Sequence, residues 1–235
     1  MGRPILIVGD LHEPWANKES KRRIYAEAKR RNPKIIIQMG DLYDMLSSSR
    51  FAHSQDIYTP KDEIRIARQK CEIFWNTLGD ICPDAKRYQL KGNHDERPYK
   101  SLLQKAPELE YYYTHNQNPS MGFWEFEGVK TQTEEAQELI LQFNGEEICF
   151  LHGFHCRPGE HVRKNLIHTV IAHTHWPWVH FHRQRDRVLW EMNVGFIGDR
   201  NSVAMGYVKQ RKFSKYVCSH GLIDEFGPRV IPHPF

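Results

Sequence analysis

The sequence has few cysteines, no long apolar run and no strong excess of charge of either sign. Its five cysteines form no Cys-x-x-Cys pair, and because an odd total suits a disulfide framework poorly, we expect them to be reduced and mostly buried. No apolar run approaches the roughly 18 residues that a membrane-spanning helix needs. The N-terminus enters a strand pattern without the layout of a signal peptide. We therefore expect a cytoplasmic protein without a membrane segment.

The composition is that of an ordinary globular protein. The chain has 235 residues, of which 40% are hydrophobic and 26% are charged. We find no internal repeat, low-complexity segment or linker, so we expect a single domain over residues 1–235. The net charge of +4 permits a nucleic-acid partner without indicating one. The oligomeric state is left open.

What the sequence does contain is a repeated placement of polar residues directly after short apolar runs. Five runs read as strands: residues 5–8, 35–37, 86–90, 148–151 and 169–171. The oxygen and nitrogen donors that follow them are Asp10, His12, Asp41, Asn93, His152, His173 and His175. Five strand ends that each carry such donors are hard to explain by packing alone, so the pattern predicts a metal site.

The donor set indicates which metals would bind and how many. Seven nitrogen and oxygen ligands exceed the needs of one divalent ion and suit two ions that share a carboxylate. The absence of a thiolate disfavours a structural zinc cluster; manganese is favoured, with iron, zinc, nickel and cobalt as alternatives. Asp41 is the natural bridge. The other donors divide into Asp10, His12 and His175 for one ion, and Asn93, His152 and His173 for the other.

Such a pair of ions suits hydrolysis of a phosphoester. Ions about 3.5–4 Å apart can hold a bridging hydroxide and screen a phosphoryl group, so in-line attack needs no covalent enzyme intermediate. We predict that His94 is the general acid for the leaving alkoxide and that Asp44 orients it. Arg50 and Arg97 are candidates for phosphate contact, and the alternative is that each is an exposed arginine. Because His173 and His175 are two residues apart, the backbone must turn between them if they serve different ions.

The remaining segments read as helices, strands and loops. Helices are predicted over residues 17–31, 61–78 and 97–105. Asn144-Gly145 predicts a hairpin between strands 139–143 and 146–151. Further strands are predicted over 179–183, 188–192, 196–208 and 213–223, followed by an irregular tail over 228–235. The connection 45–60 is either a functional loop or a disordered excursion, and we interpret the aromatic segment 110–128 as core rather than as a base-stacking surface.

The motifs together resemble those of the calcineurin-like metallophosphoesterase superfamily, whose pattern is DxH, GDxxD, GNH(D/E), H and GHxH. In this sequence they read Asp10-Leu11-His12, Gly40-Asp41-Leu42-Tyr43-Asp44, Gly92-Asn93-His94-Asp95, His152 and Ala172-His173-Thr174-His175. Ala172 replaces the glycine of the last motif, which changes the loop but removes no ligand. The Asn-His-Asp form is more similar to small bacterial and phage-type phosphoesterases than to protein phosphatases.

The resemblance implies an α+β fold in which two mixed β-sheets form a sandwich flanked by helices, with a dinuclear metal site at the strand ends. It also implies a hydrolase with a phosphoester substrate. We favour a phosphodiesterase or nuclease acting on nucleic acid or a nucleotide, because the chain is mildly basic, helix 18–31 is basic, and the loop 45–60 is predicted beside the site. The alternatives are a phosphomonoesterase acting on a small metabolite or phosphoprotein and, in another class, a non-catalytic scaffold with the same fold.

Overall fold

The computed structural model describes residues 3–49, 58–111, 125–131, 138–205 and 216–234. Its α-helices are α1 (Lys18–Arg31), α2 (Pro60–Ile81), α3 (Arg97–Lys105) and α4 (Glu160–Asn165). Its strands are β1 (Ile5–Val8), β2 (Ile35–Gln38), β3 (Lys86–Gln89), β4 (Val129–Thr131), β5 (Leu139–Phe143), β6 (Glu146–Phe150), β7 (His168–Ile171), β8 (Trp178–Gln184), β9 (Arg187–Asn193), β10 (Ser219–Asp224) and β11 (Gly227–Pro232). The strands form two mixed sheets flanked by helices, so the predicted α+β class is confirmed.

The first sheet has the order β11-β10-β1-β2-β3-β4. Its four strands from β1 to β4 are parallel, while β10 and β11 are antiparallel additions at one edge. Every residue of β1 is fully buried because the strand is covered on both faces. Leu6 and Val8 pack with α1 and α2, whereas Ile5 and Ile7 pack against the second sheet. The alternation of side chains along one strand thus supplies both layers of the core.

The second sheet has the order β5-β6-β7-β9-β8. Strands β6, β7 and β9 are parallel, and antiparallel strands pair with them at both edges. The predicted hairpin at Asn144-Gly145 is confirmed: both residues have positive φ, 52° and 85°, as a two-residue turn between twisted strands requires. The ends of β6 and β7 therefore face the same way and bring their following loops together.

Two predicted segments near the C-terminus are wrong. Within the described part of 196–208 there is no strand, because Asp199 accepts hydrogen bonds from the backbone N–H groups of Asn201 and Ser202 and turns the chain. Residues 228–232 of the predicted irregular tail are instead part of β11, which pairs with β10 along its length. Its two prolines are tolerated because β11 is an edge strand, and Gly227, the first residue of the strand, has a φ of 94° directly after the turn at 225–226.

Several other sequence predictions concern loops and surface features. The connection over 45–60 and the aromatic segment over 110–128 fall partly outside the described residues, which omit 50–57 and 112–124.

All five cysteines are free; Cys156 is exposed and the other four are buried. No helix in the described ranges is both long and apolar enough to cross a membrane.

A buried pair of histidines joins the two antiparallel strands of the first sheet. Nδ1 of His220, on β10, lies 2.8 Å from Nε2 of His233, just after β11, and the residues are 2% and 4% exposed. Burial lowers the pKa of His220 to about 4 and that of His233 to about 3. The folded protein therefore keeps this pair neutral where an unfolded chain would bind protons.

We predict that this pair makes the fold sensitive to acid. The pKa of each histidine is lower in the folded protein than in the unfolded chain, so the free energy of unfolding is unaffected by their titration above about pH 6.5. As the pH falls toward 4, only the unfolded chain takes up the proton, and the free energy of unfolding decreases. The loss should reach about 3 kcal/mol for His220 by the linkage relation. Urea unfolding in EDTA between pH 7 and pH 4.5 measures it. His220→Asn keeps a polar atom at the Nδ1 position and should lose less stability than the wild type; equal losses would contradict the prediction.

Candidate metal centre

The predicted donors meet where strands of both sheets end. Asp10 and Asp41 follow the parallel strands β1 and β2 of the first sheet, and His152 and His173 follow the parallel strands β6 and β7 of the second. Because the carboxyl ends of parallel neighbours lie at one edge of a sheet, their loops converge in the seam between the layers. The side chains there are withdrawn from solvent: Asp10 is fully buried and Asp41 is 1% exposed.

A first set of donors surrounds Asp10. The donor atoms of Asp10, His12, Asp41 and His175 all lie within 4.8 Å of one another. The Nε2 atoms of His12 and His175 are 3.0 Å apart, and His175 Nε2 lies 3.1 Å from Asp10 Oδ2. Two imidazole nitrogens and a carboxylate oxygen held this closely have the spacing of ligands around one cation.

A second set shares Asp41 with the first. Asp41, His152 and His173 also have donor atoms within 4.8 Å of one another. His152 Nε2 lies 3.3 Å from Asp41 Oδ2 and 3.1 Å from Asn93 Oδ1, so Asn93 belongs to the same group. The structure thus brings together all seven predicted metal donors in two sets that meet at Asp41.

The backbone takes an unusual conformation at four of these donors. His12, Asp41, His173 and His175 have φ values of 54°, 48°, 64° and 57°, in the left-handed region that non-glycine residues seldom adopt. Such conformations cost free energy and persist where the surroundings enforce them, which is common at functional sites. The turn at residues 173–175 sends the two histidine rings to different donor sets.

The structure places Asp44 and His94 differently from our prediction. His94 Nδ1 donates to the main-chain carbonyl oxygen of Asp44 at 3.1 Å, whereas the Asp44 carboxylate is 3.8 Å away. That carboxylate lies closer to His12, with Oδ2 3.1 Å from Nδ1. The His94 ring is therefore held by the backbone of Asp44, while the carboxylate faces a predicted metal ligand. Carboxylates commonly orient such histidines.

Of the two predicted phosphate contacts, only Arg97 lies in the described part of the chain. Arg97 is largely buried and donates to the Asp44 carbonyl at 2.9 Å and to His94 Nε2 at 2.7 Å, so it is part of the site rather than an exposed arginine. Burial, opposed by Asp41, lowers the pKa of His94 to about 3, which leaves Nε2 free to accept this bond. Arg50 lies outside the described residues, and its predicted phosphate contact stays a prediction.

The electrostatics of the site favour a cation. Burial opposes a charge on His152, yet the carboxylates of Asp41 and Asp10 raise its pKa to about 10. Burial likewise opposes ionisation of Asp41, but His152 and His94 hold its pKa well below the usual range. Carboxylates that hold a proton this firmly on a neighbouring imidazole will also attract a divalent ion that replaces the proton.

Asp95 supports the site and was missed by the sequence analysis. It is 3% exposed and accepts the backbone N–H groups of Tyr43 at 3.0 Å and of Gly92 at 2.8 Å. Burial and the nearby Asp41 raise its pKa to about 8. This side chain ties the loops after β2 and β3 together. Its position directly after His94 in the motif was the only signal in the sequence.

A second supporting network lies behind the second sheet. Glu191, on β9, is fully buried; it accepts the N–H of Val162 at 2.8 Å and faces His161 Nδ1 at 3.5 Å. The other ring nitrogen of His161 accepts the N–H groups of Phe154 and His155 at 3.3 and 3.4 Å. The pair therefore holds the loop that begins with His152. A glutamate within a strand pattern gives no signal for such a role.

An open cavity borders the donors. Its volume is about 460 Å³. It is lined by Asp41, His94, Cys156, His173, Thr174, His175, Trp176 and Tyr216. The cavity thus joins the shared carboxylate and the predicted acid to side chains that the motifs do not include.

The residues present fit a divalent metal site. Asp10 Oδ2, which His175 Nε2 approaches to 3.1 Å, and His173 Nδ1 are both buried, and no hydrogen bond to either atom is found in the described part of the chain. Buried polar atoms are costly without a partner. Carboxylate and imidazole donors are common ligands of divalent first-row metals. The fit therefore rests on the donors' chemistry as well as on their spacing.

Comparison with known proteins gives one family match and several similar solved structures. A family model described as calcineurin-like phosphoesterase matches residues 3–221. No curated protein matches the sequence. Similar solved structures include an archaeal phosphodiesterase (15% identity, 98% of this chain and 99% of that chain, TM-score 0.46). The E. coli phosphoesterase Yfce is also similar, with 13% identity over 94% of this chain and 88% of that chain and a TM-score of 0.44. Vps29 of Chaetomium thermophilum is similar with 14% identity over 99% of this chain and 93% of that chain and a TM-score of 0.44.

We predict that Gly92→Ala weakens metal binding. A Cβ atom at residue 92 would overlap the Asp41 carboxylate and backbone, so the shared carboxylate must move. Displacing a group that supports metal ligands typically reduces affinity about 10- to 100-fold. Calorimetric titration with Mn²⁺ measures the change. Gly145→Ala is the control: it introduces strain at φ 85° with no atom within 4 Å, and it should lose stability while keeping its affinity. Equal affinities for the two variants would contradict the prediction.

Proposed function

This chain belongs to the calcineurin-like phosphoesterase family, and from that premise we propose that it hydrolyses phosphodiesters with two divalent ions. Family membership makes it a metal-dependent phosphoester hydrolase. The diester substrate, the number of ions and the roles of individual residues are the proposed part. The observation that carries the proposal is the sharing of Asp41 between two sets of buried donors.

The residues divide between the ions as the two sets do. Asp10, His12 and His175 would hold one ion, and Asn93, His152 and His173 the other, with Asp41 between them. Manganese is favoured among divalent ions because the donors are a mixture of carboxylate, amide and imidazole groups without a thiolate. When bound, two such ions supply an activated water and neutralise charge on the phosphoryl group.

His94 is the proposed general acid. It lines the cavity, and the Asp44 carbonyl fixes its Nδ1, which leaves Nε2 as the atom that can carry a proton to the leaving oxygen. In this structure Arg97 donates to Nε2, and Nε2 can carry a proton only if the guanidinium turns away. A substrate phosphate is the group toward which the guanidinium can turn. The same phosphate would stabilise the protonated form of the His94 imidazole.

The size of the cavity supports a diester rather than a monoester. A diester has a second ester group and needs room for it beside the phosphoryl group. The cavity of about 460 Å³ offers that room.

The substrate class is tested with purified protein and Mn²⁺. We expect kcat/KM for bis(p-nitrophenyl) phosphate to exceed that for p-nitrophenyl phosphate at least about tenfold, equivalent to 1.4 kcal/mol. EDTA should abolish the activity. Turnover of the monoester alone would replace this proposal with the phosphomonoesterase alternative. Failure to hydrolyse either ester, or single-stranded DNA, together with fewer than about two bound ions, would support the scaffold.

A variant of His94 tests its role. We expect His94→Ala to lower kcat for the diester by about 10²- to 10⁴-fold, the usual contribution of a general acid, while the Mn²⁺ content stays near that of the wild type. Mass spectrometry of the metal and steady-state kinetics measure both. His155→Ala is the control, because His155 lies in the loop after His152 but does not line the cavity. A parallel loss of metal and activity would make His94 a ligand or a folding residue.

A further inference from the structure

We infer that Trp176 and Tyr216 form an aromatic wall that selects phosphodiesters in which one ester substituent carries a nucleobase. The inference rests on the proposed phosphodiesterase function and names its substrate class. Neither aromatic residue belongs to the metal motifs. Both line the same cavity as Asp41 and His94.

Tyr216 is held against a predicted metal ligand. Its ring packs edge-on against His175, with centroids 4.9 Å apart, and the N–H of Val217 donates to the His175 carbonyl at 3.2 Å. Phe196 stacks on His175 at 4.7 Å and is fully buried. Phe196 is therefore core, whereas the half-buried Tyr216 lines the cavity. The position of Tyr216 relative to the donors is thus determined by packing.

The backbone at Trp176 is held by the turn that carries the two histidines. Its backbone N–H donates to Thr174 Oγ1 at 3.4 Å, and this hydroxyl accepts from Asn193 Nδ2 at 2.8 Å. Pro177 follows and restricts the backbone before β8 begins. Aromatic surfaces that are ordered before a ligand arrives add more to affinity than mobile ones, because less conformational entropy is lost on binding.

The geometry of the cavity indicates what the wall contacts. A phosphoryl group must lie beside Asp41, which leaves the rest of the cavity for a substituent of the ester. The volume of about 460 Å³ is within the range of about 300–1,000 Å³ that small-molecule sites occupy. Stacking of a base on an aromatic side chain is worth about 1–3 kcal/mol and does not depend on the identity of the base. A nucleoside is the common phosphoester substituent with such a ring.

The test compares two diesters with the same leaving group and charge. The p-nitrophenyl ester of thymidine 5′-phosphate carries a base, and ethyl p-nitrophenyl phosphate does not. With Mn²⁺, we expect wild-type kcat/KM to favour the thymidine ester by about 5- to 150-fold, the ratio that stacking of this strength gives. Trp176→Leu and Tyr216→Leu should each reduce this ratio at least threefold. Phe181→Ala removes an exposed aromatic residue on β8 outside the cavity and should keep the wild-type ratio.

The other possible results of these experiments would each overturn or retain the aromatic wall. A wild-type ratio near one, or a ratio unchanged in both leucine variants, would overturn the aromatic wall. If neither ester is hydrolysed, the proposed function fails, and calorimetric binding of thymidine 5′-monophosphate against ribose 5-phosphate still tests the wall. Equal affinities for the two ligands would reject the aromatic wall. A preference for thymidine 5′-monophosphate that is lost in Trp176→Leu would support it.

Discussion

The contact between Asp41 and His152 connects the two layers of the protein at the site. Asp41 follows the first sheet, His152 follows the second, and their side chains approach to 3.3 Å in a region closed to solvent. The Asp41 carbonyl also accepts the N–H groups of Leu11 and His12, both at 3.0 Å, and its carboxylate accepts the N–H of His94 at 2.8 Å. One residue thus joins the loops after β1, β2, β3 and β6. Any rearrangement of Asp41 would disturb all of the donor sets.

The strained backbone at the donors is sustained by the sandwich around it. Left-handed conformations at four donor positions would relax in an isolated loop, but here the loops leave strands whose side chains are fully buried. Polar groups behind the site add to this constraint: Asp95 joins two loops of the first sheet, and Glu191 holds the loop of the second through His161. The rigidity of the layers is therefore what keeps the donors at ligand spacing.

The residues of the predicted chemistry and those of the proposed selectivity belong to different parts of the chain. The side chains that would bind ions and move a proton belong to motifs at strand ends. The surfaces that would contact the rest of a substrate, Trp176 and Tyr216, belong to a turn and to the segment before β10. On this proposal, the identity of the substituent would depend on residues that the motifs leave unspecified.

Local pattern was enough to predict the α+β class and the meeting of the predicted donor side chains, because apolar runs such as 35–37 become buried parallel strands whose ends collect the following polar residues at one edge. It could not predict that β11 pairs with β10, since edge strands tolerate prolines and depend on a distant partner. Nor could it place the Asp44 carboxylate beside His12, or Tyr216 against His175, 41 residues earlier in the chain. Those contacts depend on how the layers pack, and differences of an ångström between neighbouring atoms are not recorded in the spacing of residues along the chain.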